Sequence, residues 1–128
     1  MSRSREAFED GEHLLRYERP VGAVNRLYYA AFYAAKALLA INGVDSARHR
    51  GVITLFHTHF VRTGVVDAQR ARALSHSFEK RQKGDYGDFG TLSPDEARQV
   101  RDEVRVFVDE CARLLDRLIA GGGDGGFV

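Results

Sequence analysis

The stretch Asn25-Arg26-Leu27-Tyr28-Tyr29-Ala30-Ala31-Phe32-Tyr33-Ala34-Ala35-Lys36-Ala37-Leu38-Leu39 decides the fold. Val24, Leu27, Tyr28, Ala31, Ala35, Leu38 and Leu39 recur at steps of three and four, the period of one helix face. Asn25, Tyr29, Phe32 and Lys36 form a mixed row beside them. A helix apolar around most of its girth belongs at the centre of a bundle, where its alanines let neighbouring backbones come close. Its first turn and a half nevertheless carries Asn25, Arg26, Tyr28 and Tyr29, polar groups on a surface that neighbours should bury.

On either side of this helix the chain reads as further helices. Ser4 to Tyr17 is the first, with Ala7, Phe8, Leu14 and Leu15 as its apolar side and Gly11 as a weak point. Pro20 suits the first turn of the central helix, and Asn42-Gly43 ends it. Val52, Ile53, Phe56 and Phe60 mark a third helix from His49 to Thr63, closed by Gly64. Asp67 caps a fourth, whose inward residues are Ala71, Leu74 and Phe78. Two turns beyond Leu74 and Phe78 the same face reaches Arg81 and Asp85, so two charges inherit an apolar stripe. Gly84 to Gly90 reads as a break. Ser93-Pro94-Asp95-Glu96 is a capping box that opens the last helix, which keeps helical spacing from Ala97 through Leu118. The expectation is an all-α, up-and-down bundle of about five helices over residues 1–120, with 121–128 a flexible Gly-rich tail.

A chain of 128 residues suits one domain. The lone cysteine, Cys111, excludes an internal disulfide and a zinc site built on thiolates, and its place on an apolar stripe makes it a core residue. His57, His59 and His76 lack carboxylate or thiol companions at ligand spacing and read as helix-surface residues, so no metal or cofactor is expected. The first residues lack an apolar leader and no window is long enough to span a bilayer, so the expected location is the cytoplasm, away from any membrane. The net charge of +1 hides a segregation: residues 48–83 hold eight basic and two acidic side chains, residues 84–128 five and ten. Either the basic block meets a phosphate backbone, or it neutralises the acidic last helix.

Three pieces together resemble the HEPN superfamily, in its small stand-alone prokaryotic branch. They are Asn25 through Leu39, His49-Arg50-Gly51-Val52-Ile53-Thr54-Leu55-Phe56, and Arg81-Gln82-Lys83-Gly84-Asp85-Tyr86. The resemblance runs from about residue 4 to 119 and implies a helical homodimer, often paired with a minimal nucleotidyltransferase as a toxin and its antitoxin. Active members are metal-independent endoribonucleases. They use an arginine and, four to six residues on, a histidine, to promote attack of a 2′-hydroxyl on the neighbouring phosphate.

By that resemblance Arg81 is the phosphate-facing cation, with Gln82 and Lys83 beside it, but the histidine's place is taken by Asp85 or Tyr86. His49 is a candidate to supply the imidazole from another helix. Arg50 and His57 satisfy the spacing by themselves, but on the wrong helix for the family. The catalytic candidates are therefore Arg81, His49, Asp85 and Tyr86, with Asn25, Arg26 and Tyr29 behind them. Tyr86 would also be the tyrosine that some partner nucleotidyltransferases adenylylate. The function implied is an RNA-acting toxin; the alternative is a catalytically silent subunit that holds a nucleotide or the nucleotidyltransferase.

Overall fold

The computed structural model describes residues 1–86 and 92–123, with only the backbone of Tyr86, Gly122 and Gly123. Five α-helices follow one another: α1 (Ser2–Arg16), α2 (Pro20–Ile41), α3 (His49–Phe56), α4 (Ala68–Tyr86) and α5 (Pro94–Gly123). No strand occurs among the described residues, so the all-α bundle expected from the sequence is the observed architecture. α2 is its axis, packed against α1, α4, α5 and the shorter α3. Ala23, Ala30, Ala31, Ala34 and Ala35 are fully buried along α2, which is where the neighbouring helices close in. Tyr28, Leu27, Leu38, Phe56 and Phe107 complete the core around them, each contributing about 1.5–3 kcal/mol by leaving water.

The boundaries depart from the sequence reading in ways that have physical causes. Gly11 is the contact through which α1 crosses α2: a Cβ there would lie 2.8 Å from Leu27 Cγ and 3.3 Å from the Ala23 carbonyl. The buried Ser4 hydroxyl ties the same crossing by donating to the Ala30 carbonyl at 2.6 Å. α3 is regular only to Phe56; His57–Val61 then forms a π-helical turn in which the Arg62 N–H donates to the His57 carbonyl at 2.8 Å. Gly64, at φ +81°, ends this run as expected. Asp67 accepts from the Arg70 N–H at 3.3 Å and so caps α4.

α4 does not break at Gly84. It stays helical through Asp85 and Tyr86, and Gly84 instead marks a close approach, where a Cβ would meet Leu92 at 2.7 Å and Val21 at 3.3 Å. Ser93 and Glu96 form the capping box: the Glu96 N–H donates to the serine hydroxyl at 3.1 Å, and the Ser93 N–H donates to the Glu96 carboxylate at 3.2 Å. α5 then runs three residues further than expected, through Gly121 to Gly123. The rest of the anticipated break and tail, residues 87–90 and 124–128, lies outside the described residues. No helix among the described residues is long and apolar enough to cross a membrane.

Candidate functional site

Val21 meets Gly84, and Tyr28 meets both Arg81 and Phe78, so α4 runs antiparallel to the first half of α2. His49, the first residue of α3, completes a three-helix junction on the same ring. Tyr28 Oη and His49 Nδ1 share a hydrogen bond of 2.6 Å. A phenol can donate or accept, so it holds the imidazole in either tautomer. The imidazole also stacks on Phe32, with ring centroids 4.6 Å apart and planes at 21°, and faces the edge of Tyr29 at 5.7 Å. The Arg81 guanidinium lies 5.5 Å from the Tyr28 ring and 5.4 Å from the Tyr29 ring, cation–π distances.

The electrostatics follow from this crowding. Burial, followed by the positive charges of Arg81 and Lys36, pushes the His49 pKa below the ordinary imidazole value. The ring is therefore neutral at neutral pH and can take a proton. Burial drives the Tyr28 pKa upward, a shift that Arg81 partly offsets and Tyr29 reinforces, so the phenol keeps its proton. Arg81 Nε stands 3.4 Å from the Asp85 carboxylate but makes no hydrogen bond among the described residues, and the Nε of Arg26 is likewise buried and unpaired. Buried N–H groups without a partner are costly, so each of these atoms is a point of unmet hydrogen-bonding capacity among the described residues.

The structure thus brings together Arg81, His49, Asp85 and Tyr29 from the sequence candidates. Arg26 joins them through its guanidinium, 5.4 Å from the Tyr29 ring. Asn25 lies on the row between Val21 and Tyr29 but makes no hydrogen bond among the described residues. Gln82 is half-buried beside Arg81. Lys83 is turned to α5, where it and Lys80 pair with Glu96 at 3.3 and 2.7 Å. The side chain of Tyr86 lies outside the described residues.

Tyr28 is the member that sequence reasoning passed over. Its period placed it in the core, correctly, but nothing in a 21-residue separation announces its bond to His49. His76 is also no simple surface residue, since its Nδ1 lies 2.6 Å from Glu103 across the α4/α5 interface. Arg70 pairs with Glu110 at 3.3 Å, so three of the eight basic side chains of residues 48–83, Arg70, Lys80 and Lys83, meet α5 carboxylates. Cys111 is fully buried, and burial raises its thiol pKa, as a core role requires. No three His, Cys, Asp or Glu side chains cluster as metal ligands among the described residues.

Fold and junction define a class: helical bundles in which an arginine and a histidine from two flanking helices meet over a tyrosine of the central one. Within that class the chain belongs to the HEPN domain family, whose pattern it matches over residues 1–114. It is 39% identical over 119 residues to a Thermotoga maritima "UPF0332 protein", covering 91% of this chain and 88% of that protein. It is 34% identical over 97 residues to the Methanocaldococcus jannaschii protein named "Putative toxin MJ0605", covering 76% and 72%. A second protein of that organism, "Putative toxin MJ0142", is 26% identical over 115 residues, covering 90% and 78%.

Proposed function

We propose that this chain is an RNA-acting HEPN toxin that cleaves RNA without a metal ion, with His49 as the base and Arg81 as the phosphate-holding cation. The observation that carries the reading is the 2.6 Å bond from Tyr28 to His49 beneath a guanidinium whose Nε is unpaired among the described residues. With Nδ1–H donating to the Tyr28 oxygen, Nε2 of the neutral imidazole takes the proton of a 2′-hydroxyl. The 2′-oxygen then bonds to phosphorus, the bond to the 5′-oxygen breaks, and that oxygen leaves with a proton. Arg81 and Arg26 stabilise the charge growing on the phosphate oxygens. Two copies joined at this face would bring in a second His49 to act as the acid, so a homodimer belongs to the proposal.

The two relatives with toxin names support the toxin setting. A minimal nucleotidyltransferase as antitoxin is the expected companion. Asp85 supports a second reading: Asp85 or Tyr86 takes the place of the family's histidine, and Asp85 draws on the Arg81 charge at 3.4 Å, as suits a silent subunit that holds a nucleotide or the nucleotidyltransferase.

Incubation with RNA in EDTA separates the two. The toxin reading expects fragments ending in 2′,3′-cyclic phosphate, and a rate that falls by about 10²–10³ in Arg81→Ala, the usual loss on removing one preorganised donor. RNA left intact by the wild type, with nucleotide binding retained, would overturn it in favour of the silent subunit.

A further inference from the structure

His49 is the first residue of α3, and the first turn of a short helix is where fraying begins. The residue before it, Arg48, offers no side-chain acceptor, and no side chain caps the helix. The backbone that carries the imidazole is held instead from the loop between α2 and α3. The Ser46 hydroxyl accepts the Arg48 N–H at 3.2 Å. The same side chain fills the space over Gly51, where a Cβ would lie 2.9 Å from Ser46 Cβ and closer still to its hydroxyl oxygen. Ser46 thus touches the residue before His49 and the residue two after it. Behind Ser46, Asp45 accepts the Ser46 N–H at 2.8 Å and pairs with Lys36 of α2 at 3.3 Å. Lys36 lies 5.5 Å from the Phe32 ring on which His49 stacks. The ion pair is open to solvent and contributes little, so the contact at Gly51 is the firmer of the two holds.

We propose that Ser46 is a positioning residue for His49, seated on the first turn of α3 by the absence of a side chain at Gly51, and that it fixes the imidazole against Tyr28 and Phe32. The inference rests on His49 being the base. Glycine is a poor helix former, and its place in the first turn of an eight-residue helix follows from this contact, since a larger residue would expel the serine. Turning the hydroxyl away would not relieve the clash, because Ser46 Cβ stays in the path, so the loop itself must shift. A shift there is carried through Arg48 to His49, and small misplacements of a catalytic group are costly to rate.

Substitutions in the full chain test this without changing any charge. Gly51→Ala is expected to lower kcat for RNA cleavage by about ten- to a hundredfold, and Ser46→Ala by a smaller factor, with KM moving less because the cations that meet phosphate are untouched. If the loss in Gly51→Ala works through Ser46, the same substitution adds no further loss in a Ser46→Gly background, where the room has already been made; independent effects would multiply. NMR titration of the His49 ring supplies a readout that needs no activity. Burial is the main cause of its lowered pKa, so an imidazole released from Tyr28 and Phe32 should titrate closer to the ordinary value in both single variants, with urea midpoints near that of wild type. The charges facing the ring, Arg81 and Lys36, are the same throughout, so the change reports position. RNA left intact by the wild type would end the cleavage reading and leave this titration to decide the role of Ser46. Three results would overturn the proposal: wild-type kcat and His49 titration in Gly51→Ala, a Gly51→Ala loss undiminished in the Ser46→Gly background, or a fall in urea midpoint with the His49 titration unmoved, which would make the contact purely structural.

Discussion

His49 is held by one polar bond and three aromatic neighbours, and its chemistry follows from that environment. Since its pKa is lowered mainly by burial and next by Arg81, the basic form persists below the ordinary imidazole value of about 6.5. The pH profile of kcat/KM for RNA cleavage should therefore lose its acid limb at a pH below about 6.5, and His49→Asn should lower the rate by about 10²–10⁴, the usual worth of a general base. An acid limb above that pH, or an Asn variant with full activity, would remove His49 from the mechanism. The same shift carries a stability sign. The unfolded chain protonates first, so folding stability falls as pH drops below about 6.5, a decline that urea midpoints should show in wild type and not in His49→Asn. Tyr28→Phe leaves Nδ1 without its partner and should cost about 1–3 kcal/mol in the same assay.

Among the helices, two glycines make contrasting predictions. Gly11→Ala gains about 1 kcal/mol of helix propensity but drives a Cβ to 2.8 Å from the buried Leu27 Cγ and 3.3 Å from a backbone oxygen, neither of which can swing away. Overpacking wins, and a net loss of about 1–2 kcal/mol is expected by urea denaturation. At Gly84 the closest atom is Leu92 Cδ1, the far end of a flexible side chain, so Gly84→Ala should lie within about 0.5 kcal/mol of wild type. Helix starts and stops were legible where a side chain signals them: Asp67, Ser93 with Glu96, Pro20 and Gly64 all stand where the sequence placed them. The end of α4 was not, because Gly84 marks a close approach to Val21 and Leu92, which only the third dimension reveals, and a glycine in a sequence looks the same in either role. Nor does hydrophobic spacing distinguish a π-helical turn from one more turn of α-helix, which hid the change at His57.

For the molecule as a whole, the apolar period of α2 sufficed to make it the axis, and Arg81 on the face continued from Leu74 sufficed to mark a half-buried charge. The pairing of charges between helices was not legible, since Lys80 and Lys83 reach Glu96 across the α4/α5 interface rather than a phosphate. The hydrogen bond from Lys80, followed by that from the Ser93 N–H, holds the Glu96 carboxyl down at about 2. Its contribution to stability is therefore present above about pH 4.5 and is lost as pH falls toward 2, so the acid arm of the stability curve should flatten in Glu96→Gln.

The account rests on one assembly: an imidazole from α3 and a guanidinium from α4, brought over the same tyrosine of α2. NMR titration of the His49 ring, in wild type and in Arg81→Ala, tests it most directly. The predicted result is a wild-type pKa below about 6.5 that rises when the guanidinium is removed. A His49 that titrates at or above that value and ignores the substitution would contradict the assembly, and with it the proposed cleft.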